Sequence, residues 1–101
     1  MINIIFSQEY KNHDTGNHPE SIERIKVVNN LIIEEYSKHK HIEPTIADKK
    51  IISLVHDLEY VNKIYDSIPS SGFTYLDPDT IASPNSLKSY LLAVGGSVDA
   101  V

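Results

Sequence analysis

The sequence contains no cysteine, and this absence excludes both disulfide bonds and thiolate metal sites. No apolar run approaches the roughly 20 residues that a membrane-spanning helix requires. The first residues, MINIIFSQEYKN, include a short apolar run but neither the basic region nor the small-residue cleavage site of a signal peptide. We therefore predict a cytoplasmic protein that does not enter a membrane.

Basic residues are also scarce, because 9 lysines and arginines stand against 14 aspartates and glutamates, for a formal net charge of -5. An acidic chain does not attract nucleic-acid phosphates or an anionic membrane, so we predict neither as a partner. The same charge tolerates a cationic substrate without demonstrating one. The composition is ordinary for a globular protein, and 101 residues fit one small domain or part of a larger one.

Hydrophobic periodicity predicts strands and helices that alternate along the chain. Proline suits the first turn of a helix, so Pro19 predicts one helix start, and Ser83 followed by Pro84 predicts another. Asp57 is expected to cap a helix that Pro69 ends. The predicted elements are strands at 2–6 and 42–46, helices at 19–41, 48–55, 57–68 and 84–101, and irregular stretches at 7–19 and 70–82. In the first helix, the basic residues of 38–41 lie at the end where cations are favoured. Its apolar residues share one face, which consists of Ile22, Ile25, Val28, Leu31, Ile32 and Tyr36.

The alternation predicts an α/β architecture in which helices flank a parallel sheet. Two short strands do not form a stable parallel sheet with both faces covered. The last predicted helix also reaches Val101 without a glycine cap or a proline. We therefore expect residues 1–101 to be the N-terminal segment of a single larger domain. The alternative is a small, mostly helical domain with a frayed end.

The first polar cluster, HDTGNHPE at residues 13–20, lies in a stretch that is long for a loop in a compact domain. Imidazole and carboxylate groups are good zinc ligands, so His13, Asp14 and His18 form one candidate metal site. The simpler interpretation is a polar loop that leads into a helix. Arg24 is the only arginine, and it either faces solvent or holds an anion or a carbonyl inside a pocket.

Two further polar clusters and one pair of glycines stand out. The segment VHDLEY pairs His56 with Asp57, but helix capping explains Asp57, and no nucleophile accompanies the pair. The segment LDPDT (76–80) places two aspartates around a proline, which fits either a turn or a carboxylate at a pocket rim. Gly95 and Gly96 lie inside the last predicted helix, where each costs about 1 kcal/mol relative to alanine. They predict close packing of that helix against a neighbouring backbone.

Taken in order, the segments HDTGNHPESIER, VHDLEYV, LDPDTIASPNS and AVGGSVDAV resemble the N-terminal region of the histone deacetylase family. The similarity runs from about Phe6 to Val101, and it is closest to the acetoin-utilisation and acetylpolyamine amidohydrolase types of bacteria and archaea. The resemblance implies an arginase-like α/β fold and zinc-dependent hydrolysis of acetyl-lysine or of acetylated amines. In that family, Asp-His-Asp ligands hold a zinc ion that polarises the carbonyl and activates the attacking water. Tandem histidines act as general base and acid, and a tyrosine stabilises the oxyanion.

The resemblance implies roles for four residues of this chain. Asp79 matches a position at the pocket rim where a carboxylate hydrogen-bonds the substrate. His18 and Pro19 match the loop at the pocket entrance, and Arg24 matches an arginine beside an internal channel for acetate. The family's tandem histidines, metal ligands and tyrosine have no counterpart in this sequence. We therefore predict that this chain by itself holds no zinc and no catalytic residue.

Two other functions remain open from the sequence. The chain fits a non-enzymatic protein-interaction domain of the same descent, whose interface is the apolar face left by a missing sheet. It also fits, less well, a metal-binding module built on His13, Asp14 and His18, which predicts zinc uptake by the isolated chain. The acylated substrate and the oligomeric state are not determined by the sequence.

Overall fold

The computed structural model describes residues 1–101, and it places the first two strands side by side. Strand β1 (Asn3–Ile5) pairs in parallel with β2 (Lys40–Ile42), so that Ile4 lies beside His41. The predicted second strand at 42–46 is therefore wrong, because only Ile42 belongs to both the predicted and the observed strand. The strand ends before Pro44, which has no N–H to donate to a neighbouring strand.

Helix α1 (Ile22–Glu35) connects the two strands, because parallel neighbours require a crossover connection. The predicted end at 38–41 is wrong, because the helix stops at Glu35 and Lys40 already belongs to β2. The predicted start at Pro19 is also wrong, and the helix begins three residues later. Glu20 accounts for the delay, since its N–H donates to the ring of His18 and its carbonyl accepts a bond from the hydroxyl of Thr15. These two bonds hold the backbone in a bend that the helix follows.

The stretch between β1 and α1, predicted to be irregular, contains a 3₁₀ helix at Gln8–Asn12. Its position is set from two sides. The amide of Asn29, the only buried residue of α1, donates to the carbonyl of Ser7 at 3.2 Å. On the other side, the hydroxyl of Ser89 donates to the carbonyl of Glu9 at 3.0 Å. The first loop is therefore held between the crossover helix and the last helix of the chain.

Two helices in the middle of the chain agree with the predicted pattern. Helix α2 (Lys49–Ile52) is short and begins at Asp48, whose carboxylate accepts from the N–H of Ile51 at 3.1 Å. Helix α3 (Leu58–Ser67) begins after Asp57, as predicted. The side chain of Asp57 makes no capping hydrogen bond, however, so its predicted role is confirmed only as a position.

A β-hairpin occupies the second stretch that was predicted to be irregular. Strands β3 (Thr74–Asp77) and β4 (Thr80–Ala82) pair antiparallel, with Tyr75 opposite Ile81. The prediction failed because strands of four and three residues are too short to show a clear period of two. The turn between the strands contains both Pro78 and the predicted rim residue Asp79.

The last helix, α4 (Ser86–Ala100), begins two residues later than predicted from Ser83 and Pro84. The N–H of Ser83 donates to the hydroxyl of Ser86 at 2.8 Å, and the carbonyl of Ser83 accepts from the N–H of Ser86. This closed turn precedes the helix, and Asn85 takes the N-cap position without a side-chain bond.

Segment 44–47 runs directly against the backbone of α4, which confirms the packing predicted from the glycine pair. The N–H of Ala47 donates to the carbonyl of Leu91 at 3.1 Å, and the N–H of Thr45 donates to the carboxylate of Asp99 at 2.8 Å. A Cβ atom on Gly95 would lie only 1.6 Å from the carbonyl oxygen of Thr45. Only glycine permits this approach.

The core of this chain is small, since only 13 of its 101 residues are buried and more of these are polar than hydrophobic. The predicted apolar face of α1 is largely uncovered, with Val28 and Leu31 each 50% exposed. Periodicity predicted that these side chains share one apolar face, and this chain leaves half of their surface uncovered. The buried hydrophobic side chains are those of Ala47, Val61, Ala82 and Leu92.

None of the helices has the combination of length and apolar character that a bilayer crossing demands.

Candidate functional site

The first loop and the β3–β4 turn, which are about 60 residues apart in the sequence, meet through a pair of side chains. Nε2 of His18 donates to Oδ1 of Asp79 at 2.8 Å. The other ring nitrogen, Nδ1, accepts from the N–H of Glu20 at 3.0 Å. The His18 side chain is 19% exposed and that of Asp79 is 90% exposed. The structure thus brings together two of the residues to which the resemblance assigned the pocket rim.

The turn that carries Asp79 is built by its neighbour Asp77. Oδ1 of Asp77 accepts from the N–H of Asp79 at 2.8 Å, and Oδ2 accepts from the hydroxyl of Thr80 at 2.9 Å. These two bonds, the backbone one first, lower the pKa of Asp77 below its ordinary value. Of the two aspartates in LDPDT, Asp77 is therefore the turn-forming residue and Asp79 the one that projects outward.

A largely apolar cavity of about 680 Å³ lies beside this contact, among α1, α3, the hairpin and α4. Its size falls within the range of small-molecule pockets. Glu20 and Thr80 line it, whereas their sequence neighbours His18, Pro19 and Asp79 do not. The predicted rim residues are thus placed next to the wall of the cavity rather than in it. The apolar lining includes Ile25, Val28, Ile64, Leu76, Leu91 and Val94.

Arg24 lines the same cavity from the first turn of α1. Its guanidinium forms no ion pair and no side-chain hydrogen bond within the chain. Glu20 is the only carboxylate that shares the cavity lining with it. An arginine retains its charge in any such environment, and its planar group suits a carboxylate or a carbonyl oxygen. The placement agrees with the pocket interpretation of Arg24, while its predicted part in an acetate channel stays a prediction.

A second polar cluster, which the sequence did not reveal, joins the first loop to the start of α4. Nδ1 of His13 lies 2.6 Å from Oγ of Ser86, and the same oxygen accepts from the N–H of Ser83. The hydroxyl of Ser83 accepts in turn from the N–H of Asp14 at 3.2 Å. No local pattern signals this cluster, because its two halves are 73 residues apart.

Burial controls the electrostatics of the cluster. It lowers the pKa of His13, although the carboxylates of Glu20 and then Asp14 act in the opposite direction. Which of Nδ1 of His13 and Oγ of Ser86 donates in their bond depends on the tautomer of the imidazole. Tyr90 meets the His13 ring edge-on at 5.1 Å, and burial raises the pKa of its phenol. His13 and Tyr90 both line the cavity.

The candidate metal site predicted from His13, Asp14 and His18 is not formed. The ring of His13 is bound to Ser86 and that of His18 to Asp79, so the two imidazoles serve different contacts. No three histidine, aspartate or glutamate side chains converge closely enough anywhere in the chain to hold a metal ion. The residues present therefore do not fit a zinc centre.

Comparisons with known proteins bear on the family and the fold of the chain. The family model described as the histone deacetylase domain matches residues 18–101. Among solved structures, the crystal structure of the HDA15 HD domain superimposes with a TM-score of 0.83 at 20% sequence identity. The match covers 96% of this chain and 30% of that one, so the chain spans about a third of its length. At this identity the likeness shows the fold. A comparison with curated protein sequences found no match.

Proposed function

The chain belongs to the histone deacetylase family, and we propose that it contributes the N-terminal part of a zinc-dependent domain that hydrolyses acetyl-lysine or another acetylated amine. The observation that carries the proposal is the hydrogen bond between His18 and Asp79 beside a largely apolar cavity. A pocket of this kind needs an apolar wall for the acylated chain and few polar groups to orient it.

Each rim residue has a distinct part in this proposal. Oδ2 of Asp79 makes no bond within the chain, so it is available to accept an N–H from the substrate. In this proposal, the loop of His18 and Pro19 forms part of the pocket entrance. Arg24 offers a permanent positive charge inside the cavity for a carbonyl oxygen or a released carboxylate. None of these groups attacks the amide, and we assign no catalytic residue to the chain.

The zinc ion and the groups that hydrolyse the amide would be provided outside residues 1–101. This follows from the misfit of the residues present, since no metal-binding group is formed among them. We also propose, from the order of the motifs, kinship with the acetoin-utilisation and acetylpolyamine types. A separate proposal, from the net charge of -5, is that neither nucleic acid nor a membrane is a partner. We further propose a cytoplasmic location.

The first test is to read the coding sequence past the codon for Val101. Continuation into a His-His segment and an Asp-x-His segment supports the proposal, and a stop codon directly after Val101 refutes it for this chain. The second test measures acetate release by the full product from an acetyl-lysine peptide and an acetylated diamine. A chelator should abolish the activity, and zinc should restore it.

Substitution of Asp79 makes the second test specific to these residues. Asp79→Ala should raise KM about tenfold, because a hydrogen bond to a charged group is lost, while kcat changes little. Asp66→Ala is a matched control, since Asp66 is an exposed carboxylate on α3 without a bond in this chain. A KM that is equal in the two variants would contradict the rim role of Asp79.

The exposed apolar surface favours one other function, that of a protein-interaction domain without enzymatic activity. Leu54 is 81% exposed, Val55 is 84% exposed, and Val27 on α1 is 67% exposed. Exposed apolar residues on this scale mark surfaces that another protein segment covers. Isolation of the full product in a stable, metal-free complex with a partner, and without deacetylase activity, would establish this alternative over the enzyme.

A further inference from the structure

The geometry points to His18 as a positioning residue: we infer that its Nε2–H orients the carboxylate of Asp79 so that the second oxygen, Oδ2, faces the substrate. This inference rests on the proposed function, because it supposes that Asp79 anchors a substrate. It adds a residue that acts through Asp79 rather than on the substrate itself.

Asp79 needs such a partner because nothing else restrains its side chain. The backbone of Asp79 is held by Asp77, but its side chain is 90% exposed and its carboxylate has a single hydrogen bond, with His18. An exposed carboxylate without a partner rotates freely, and ordering it on binding costs side-chain entropy. The bond to His18 removes part of that freedom before the substrate arrives.

The imidazole of His18 is itself fixed at both nitrogens. Nδ1 of His18 accepts a hydrogen bond from the backbone N–H of Glu20. An accepting ring nitrogen carries no proton, so Nδ1 is unprotonated. Nε2 must then carry the proton of the neutral ring, and it points at Oδ1 of Asp79. The tautomer that donates to Asp79 is therefore set by the backbone two residues later in the first loop.

Two substitutions separate this role from a merely structural one. Asparagine at position 18 can still accept from the N–H of Glu20, in the manner of an Asx turn, but is too short to reach Asp79. Glutamine reaches Asp79 with its amide N–H but does not reproduce the contact with Glu20. If His18 only holds the loop, His18→Asn should preserve the function of the residue and His18→Gln should not. If His18 positions Asp79, His18→Gln should preserve the function and His18→Asn should not.

In the full product, His18→Asn and His18→Ala should raise KM for an acetyl-lysine peptide about fivefold and leave kcat within about twofold. His18→Gln should keep KM within about twofold of wild type. The double variant His18→Asn with Asp79→Ala should be no worse than Asp79→Ala alone, because both changes remove one anchor. A wild-type KM for His18→Asn together with an impaired His18→Gln would overturn the inference.

A second measurement does not depend on enzymatic activity. Long-range ¹H–¹⁵N correlation spectra of the labelled full product should show His18 as the neutral Nε2–H tautomer. Asp79→Ala should shift the Nε2 resonance more than the Nδ1 resonance. The Nδ1–H tautomer would overturn the inference. If the tautomer is as expected but the full product deacetylates nothing, the proposed function fails, and the anchoring role of His18 fails with it.

Discussion

Replacement of Gly95 by alanine tests the central packing feature of the chain, the approach of segment 44–47 to the backbone of α4. An added Cβ atom would lie 1.6 Å from the carbonyl oxygen of Thr45 and 2.7 Å from its carbon. The contact is with backbone, which a rotamer change cannot relieve. Thr45 would therefore have to move by more than an ångström, away from its bonds with Asp99.

The size of the effect follows from opposing contributions. Alanine in a helix is favoured over glycine by about 1 kcal/mol. Overpacking that forces a backbone shift costs about 1–3 kcal/mol, and more in severe cases. The shift also weakens the bonds of Thr45 to Asp99 and of Ala47 to Leu91, each of which contributes about 1 kcal/mol. We expect Gly95→Ala to lower the free energy of unfolding by about 2–4 kcal/mol.

The assay is urea or thermal unfolding followed by circular dichroism, where the expected loss lowers Tm by about 10 °C or more. Gly96→Ala is the matched control, because its Cβ would meet Pro44 at 3.1 Å and Tyr10 at 3.3 Å, contacts that small adjustments relieve. We expect it to change stability by no more than about 1 kcal/mol. Equal stabilities of the two variants would refute the close approach at Gly95.

Three further predictions concern single side chains. Asp99→Ala should lower the free energy of unfolding in urea by about 1–2 kcal/mol, because Thr45 loses its carboxylate partner. An unchanged urea midpoint would show that this bond does not stabilise the fold. Val61→Ala should lower the free energy of unfolding by about 1–3 kcal/mol, since Val61 is only 3% exposed. A smaller decrease would mean that neighbouring side chains fill the space that the removed methyl groups leave. Burial lowers the pKa of His13 in the folded chain below its unfolded value of about 6.5. The neutral ring therefore contributes fully to stability above about pH 6.5, and this contribution is lost as the pH falls from about 6.5 to the folded pKa. Between about pH 7.5 and pH 5, wild type should therefore lose more stability than His13→Gln, and parallel losses would contradict the burial of a neutral ring.

Much of the secondary structure could be predicted from local patterns. The parallel pair of strands around a crossover helix, the start of α3 after Asp57 and the packing role of Gly95 and Gly96 all agree with the structure. Errors occurred where side chains from the surrounding loop bind the backbone. The bond from Glu20 to His18 delays α1, and the Ser83 turn delays α4. Such bonds override a proline signal.

The pocket was only partly predictable. The resemblance selected His18, Asp79 and Arg24, and the structure places the first two in contact and the third in the cavity wall. Periodicity predicted one apolar face on α1, yet Val28 on that face lines the cavity and remains half exposed. A period reveals which face is apolar, but not what packs on it.

What the sequence by itself determined was local or compositional. The absence of cysteine excludes disulfides, the spacing of apolar residues predicts strands and helices, and the order of four motifs identifies the family. Only the tertiary structure decided that Asp79 is held by His18, that His13 is bound to Ser86 and that no metal site forms. These contacts join residues about 60 to 70 positions apart, and no spacing along a chain encodes a distance that folding must first create.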